Sequence, residues 1–379
     1  MIILITGILL ILYCVTAKRF NVWVAMSFVL LIMGFQEGVP GDYMSYKLSY
    51  TLGGDLIGAS YSTVKAAEFA QIWTTYVLSQ YISFHLYVFL TSLVQVLAMG
   101  LMIKEFAARR YQYFGVLLIF FTFNIMLIQM KAMRQGYAID CLLLGYYFLG
   151  KRKFLLSLVA VAVGFGFHNS AIVAIPFFLV LWVLLFVRGK EPEHANLPPV
   201  VNNVRSGLRA AAWMVVGLLA FYLFKFEVFD SYVNPFLANL DVFEYTGYLD
   251  QFEDHREISW WILLYHSVAV FCVTLYAVNE KDLYRKYLAL LVIGALFLSV
   301  ATFGFGSLMR LPAYFLIFCI VVFPNVAAML RASYGKQMGA AFVVFNLAYV
   351  MYTTVRVMVS DDVANGAGFA PYTFSFLDW

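Results

Sequence analysis

Charge is scarce in this sequence. Asp, Glu, Lys and Arg make up 12% of its 379 residues, against 63% hydrophobic residues and a mean hydropathy of +0.84. A soluble globule carries about twice that charged fraction, so that class is excluded and the chain reads as a polytopic membrane protein. Cysteine is sparse too: Cys14, Cys141, Cys272 and Cys319 all fall inside apolar runs, without the Cys/His spacing of a metal site, and read as packing residues. Neither sign of charge dominates, since 25 Lys and Arg face 21 Asp and Glu, which leaves no basic footprint for nucleic acid. Low-complexity segments are lacking, as are internal repeats, the inverted repeats common in transporters included. The opening MIILITGILLILYCVTA has no basic leader and no small-residue cleavage site, so it is expected to remain as a first span.

What the chain does have is a series of apolar runs, each long enough to cross about 30 Å of hydrocarbon as a helix. They lie near 2–17, 21–35, 80–103, 113–129, 134–149, 154–168, 170–187, 210–225, 259–279, 287–303, 310–330 and 338–355. Twelve transmembrane helices in a single integral membrane domain, 1–379, are expected, because open strands leave backbone groups unsatisfied in lipid. The Lys and Arg bias of the connections sets the orientation. With Lys18 and Arg19 in the cytoplasm, 17 of the 25 basic residues share that side, while 15 of the 21 acidic residues fall opposite. Both termini then lie on the non-cytoplasmic side, with external loops over 36–79 and 226–259 and a tail over 356–379 forming a cap. The first loop is expected to end in an amphipathic helix carrying Val64, Phe69, Ile72, Trp73 and Tyr76 at the interface; the second holds eight acidic residues from Glu227 to Glu257.

Two short connections break the charge rule, those holding Lys131 with Arg134, and Arg310. Each Arg sits at the external start of an apolar helix, where the positive end of the macrodipole disfavours a cation and favours an anion. A phosphate or pyrophosphate there satisfies the guanidinium bidentately and the open N–H groups of the helix start together. The competing reading is an Arg reaching to lipid headgroups or pairing with a loop carboxylate. His168 closes one span as Asn169 and Ser170 begin the next; it reads either as a base for a sugar hydroxyl or as a hydrogen-bonded interface residue. Asp42 is the first carboxylate after the second span, placed to orient an acceptor hydroxyl or to make an ordinary turn. Glu68 is a further carboxylate on the amphipathic helix. Asp140, in the same span as Arg134, needs a partner or a wet cavity. His85, His194, His255 and His266 read as packing or surface residues.

These residues resemble the EpsG and Wzy group of polysaccharide polymerases. The likeness rests on Asp42 with Tyr46, Glu68, Arg134-Gln135 opening a span, the basic connection Lys151 to Lys153, and Phe167-His168-Asn169-Ser170-Ala171. Arg310 with Tyr314, and Pro371-Tyr372, are later features in the same order. Glu68 is followed by Phe69-Ala70 where relatives tend to show Gly-Tyr.

The resemblance implies an all-α, type C glycosyltransferase-like membrane enzyme. Such an enzyme transfers an oligosaccharide from undecaprenyl pyrophosphate to a second lipid-linked repeat unit, outside the bacterial cytoplasmic (inner) membrane. It implies an O-antigen or exopolysaccharide product and a chain-length regulator as partner, with no cofactor, no metal and no nucleotide sugar. Arg134, Arg310 and Lys131 would neutralise the pyrophosphate, and His168 or Asp42 would activate the acceptor hydroxyl. Gln135, Glu68, Tyr46, Tyr314 and Ser170 would contact substrate. The rival readings are a flippase for the lipid-linked oligosaccharide, a glycosyltransferase using a single sugar on polyprenyl phosphate and, more distantly, a membrane acyltransferase.

Overall fold

A chain that cannot give its backbone groups to water must satisfy them internally, and helix does this within one segment. The structure, a computed structural model, describes residues 2–37, 43–51, 68–189, 200–201, 207–213, 215–216, 260–301, 310–359 and 373–374, and nearly all of them are helical. Two units pack internally, Met1–Phe186 with Val344–Trp379 and Val187–Val343.

In the first unit the helices are α1 (Ile2–Thr16), α2 (Val22–Gly34), α3 (Tyr43–Thr51), α4 (Phe69–Ser79), α5 (Phe84–Phe106), α6 (Gln112–Phe121), α7 (Phe123–Lys131), α8 (Met133–Gly150), α9 (Phe154–Phe167) and α10 (Ile175–Arg188). Polar caps start two of them: the Asn21 side chain accepts from the Trp23 N–H at 2.9 Å, and Ser83 Oγ from the Leu86 N–H at 3.3 Å. The most extensive packing joins α8 to α9. A Cβ at Gly164 of α9 would fall 3.0 Å from the Ala138 carbonyl oxygen and 3.0 Å from Cys141 Cβ, so the glycine lets the two backbones meet as small residues do between membrane helices. The turn of this hairpin is held by ion pairing of Lys151 with Glu105 and by Arg152, whose Nη1 donates to the Leu185 carbonyl. Arg152 adopts a φ of 58°, the left-handed conformation that a tight reversal demands.

The second unit contains α11 (Trp260–Asn279), α12 (Leu283–Ala301), α13 (Ala313–Leu316) and α14 (Cys319–Tyr334), and the following helix is α15 (Lys336–Val359). Asp282 Oδ1 accepts from the Arg285 N–H at 2.7 Å and starts α12. His266 of α11 bonds Ser299 of α12 at 3.0 Å, a packing role.

The all-α membrane class agrees with expectation. Among the described residues, Phe84–Phe106, Trp261–Asn279 and Leu283–Val300 are long and apolar enough to cross a membrane; five further apolar helices, among them Val22–Gly34 and Phe154–Phe167, are shorter. The expected span at 113–129 is two helices, because Thr122 is extended (φ −88°, ψ 105°) between α6 and α7. The Phe121 carbonyl exposed near that break accepts from Thr354 Oγ1 of α15. The span expected at 310–330 runs as α13 and α14, joined through Ile317 and Phe318, which keep right-handed helical angles. A two-residue antiparallel pair, β1 (Gln36–Glu37) with β2 (Thr373–Phe374), joins the exit of α2 to the chain's last described residues. Most of the expected span 210–225, and all of the acidic loop 226–259, lie outside the described residues.

Replacing Gly164 with Val is expected to lower the thermal midpoint of the detergent-solubilised protein, since overpacking typically costs about 1–3 kcal/mol. An unchanged midpoint would show that α8 and α9 part freely.

Candidate functional site

The first turn of α4 seats on the last turn of α9. A Cβ at Gly166 would come 2.8 Å from Phe69 Cζ and 3.0 Å from Ala70 Cβ, so only glycine admits this approach without displacement. Phe69 and Ala70 fill this contact. Glu68, immediately before Phe69, is thereby delivered to the end of α9. There the backbone turns extended at His168 (φ −157°, ψ 127°) before the short 3-10 turn Asn169–Val173.

The result is a four-residue cluster drawn from four segments. Glu68 sits at the N-cap of α4 but makes no side-chain cap to its own helix. Its Oε1 lies 2.8 Å from His168 Nδ1, and its Oε2 pairs with Nη1 of Arg134 in the first turn of α8. Arg134 Nε also donates to the Tyr46 hydroxyl of α3 at 3.2 Å, and its guanidinium carbon lies 5.7 Å from the Tyr46 ring centroid. Glu68 is the more buried member of the ion pair, with 14% side-chain exposure against 39% for Arg134. Burial pushes the Glu68 carboxyl up, but the His168 hydrogen bond and the Arg134 charge outweigh it and leave the carboxyl below its ordinary value. The anion that the sequence demands at the start of Arg134's helix is thus supplied, in this structure, by the chain itself.

Of the residues singled out in the sequence, Tyr46, Glu68, Arg134 and His168 come together. Gln135, beside Arg134, and Ser170, beyond His168, are buried. Lys131 ends α7 one connecting residue before α8 and is half-buried. Arg310 and Tyr314 belong to the second unit, where Arg310 is exposed and Tyr314 is fully buried in the core. Asp42 lies outside the described residues. Asp140 is buried beside the side-chain amides of Gln95 and Gln129.

Sequence reasoning passed over two polar groupings. Gln95 of α5 donates to Gln129 of α7 at 2.5 Å within the bundle. Glu37 pairs with Lys47 at 2.6 Å and lies 3.8 Å from His85, which therefore has charged company. No residue spacing signals either one: Gln95 and Gln129 are 34 residues apart, and His85 lies 48 residues beyond Glu37. Among the described residues no group of three or more His, Cys, Asp or Glu is arranged to hold a metal.

A carboxyl held low in the folded chain stabilises it above the ordinary value, and that contribution is lost as pH falls through the lowered one. The thermal midpoint is therefore expected to fall below about pH 4.5, the ordinary Glu68 value, and Glu68→Gln is expected to flatten part of that fall. Identical acid profiles for both proteins would remove Glu68 from the ion network.

A family model described as the EpsG family matches residues 18–374. No curated protein and no solved structure matches the chain. With the match running over nearly the whole sequence, the chain belongs to the EpsG family, which places it among membrane polysaccharide polymerases.

Proposed function

We propose that the chain polymerises lipid-linked oligosaccharide on the outer side of a bacterial cytoplasmic membrane. The donor is an oligosaccharide on undecaprenyl pyrophosphate, and the acceptor is a hydroxyl of a second lipid-linked repeat unit. The observation that carries this reading is the convergence of Arg134, Glu68 and His168, an anion-binding cation and an oriented base on one carboxylate. Loop charge supports the outward orientation and the external termini, since each of these three residues falls at a connection on the side poor in Lys and Arg, and the series of apolar runs supports twelve crossings.

In this reading an ionised Glu68 only accepts hydrogen bonds, so His168 Nδ1 carries the shared proton and Nε2 keeps a lone pair. The acceptor O–H bond breaks as its proton passes to Nε2. The acceptor oxygen forms a bond to the donor's anomeric carbon. The bond from that carbon to the pyrophosphate oxygen breaks, and its electron pair leaves with undecaprenyl pyrophosphate. Arg134 stabilises the charge developing on that leaving group, bidentately and at a helix start. Lys131 and Arg310 remain expected contributors of positive charge, with Gln135, Tyr46, Ser170 and Tyr314 as expected substrate contacts. Asp42 is the alternative base, and a chain-length regulator the expected partner.

In a host lacking its own polymerase, Arg134→Ala is expected to abolish polymer, and Arg134→Lys to restore part of it because the ammonium lacks the planar fork. Wild-type chain lengths in Arg134→Ala would overturn the phosphate role. His168→Ala is expected to slow transfer by about a hundredfold or more while leaving donor binding intact; unchanged turnover would return His168 to an interface role. With purified protein in liposomes, lengthening of a lipid-linked oligosaccharide is expected. Translocation without lengthening would make the chain a flippase.

A further inference from the structure

Glu68 poses a problem for the mechanism, because its carboxylate occupies the guanidinium that the donor pyrophosphate needs. Two features show how the conflict is resolved. First, the two oxygens have separate duties: Oε2 faces Arg134 and Oε1 faces His168, so one contact can be exchanged while the other stays. Second, the carboxylate is carried on a lightly packed element, seated on α9 through its first turn. Helix α4 has no buried residue, and Phe69 and Trp73 are more than half exposed.

We infer that Glu68 is an internal stand-in for the donor's pyrophosphate, and that donor binding displaces it from Arg134 while it keeps His168. The inference rests on the proposed role of Arg134 and adds the order of events at that site. Without donor, the carboxylate shares its charge between a guanidinium and an imidazole. When the diphosphate takes the guanidinium, the same charge faces His168 undivided and stabilises the imidazolium that forms as Nε2 accepts the acceptor's proton. The exchange itself makes and breaks no covalent bond and moves no proton. Its effect is that the base reaches full strength only with the leaving group in place. Glu68 is a positioning residue in this account, acting through Arg134 and His168.

The test measures binding of sugar-free undecaprenyl pyrophosphate to the purified full chain in detergent, beside polymer formation by the same variants. Removing the competing charge in Glu68→Gln is expected to tighten binding about fivefold, the return of one modest ion pair, while polymer formation falls about tenfold or more. Glu68→Asp, which keeps the charge on a shorter arm, is expected to bind between the two and to recover part of the polymer. Weaker binding in Glu68→Gln, or undiminished polymer, overturns the handover, since Glu68 would then be holding Arg134 in its working position. Arg134→Ala separates the two levels. If it binds the probe as wild type does, the pyrophosphate reading of Arg134 is itself wrong; if it loses the probe while Glu68→Gln also weakens binding, only the handover fails.

Discussion

One carboxylate, shared between a guanidinium and an imidazole, sets the terms for the rest of the first unit. An Arg at the start of a buried helix is disfavoured by the helix dipole and by desolvation together, and remains there only with an anion close by. Glu68 is that anion, yet it comes from a segment 66 residues earlier. Its arrival depends on the end of α9 being slim enough for α4 to lie against it. Gly166 is therefore as much a part of the site as the charged residues are, although it contributes no polar atom. The same small-residue logic at Gly164 keeps α9 against α8, so Arg134 and His168 are carried on one tightly packed hairpin.

Around this hairpin the structure satisfies its polar groups locally. The break at Thr122 leaves a carbonyl that Thr354 takes up, and the left-handed turn at Arg152 is held by Leu185 and by the Lys151–Glu105 pair. Each is a departure from regular helix matched by a side chain placed to absorb it, which is what a low-dielectric surrounding demands. Lys151 through Lys153 therefore anchor one end of the hairpin while Arg134 and His168 mark the other.

Much of this was legible in the sequence, for identifiable reasons. The helical class follows from hydropathy alone, and Arg134 stood out because loop charge and helix dipole both disfavour it. His168 was flagged by its place between two apolar runs. Glu68 gives only a weak signal in the sequence, since its place at the site arises from the packing of Phe69 and Ala70 on Gly166, a contact that no local pattern announces. The division of 113–129 was hidden because Phe, Thr and Phe form a continuous apolar run whether or not one residue turns extended. His85 reads from the sequence as a packing or surface residue because Glu37, its neighbour in space, is 48 residues away in the chain.

The smallest element carries the widest topological consequence. Residues joined by backbone hydrogen bonds lie at one depth, so in the proposed topology Gln36–Glu37 and Thr373–Phe374 share one face of the bilayer. In the proposed topology the chain between them crosses the membrane an even number of times. The same parity rule binds Glu68, Arg134 and His168 to a common side, so an insertion or loss of one crossing anywhere between these residues would pull the ladder or the carboxylate cluster apart.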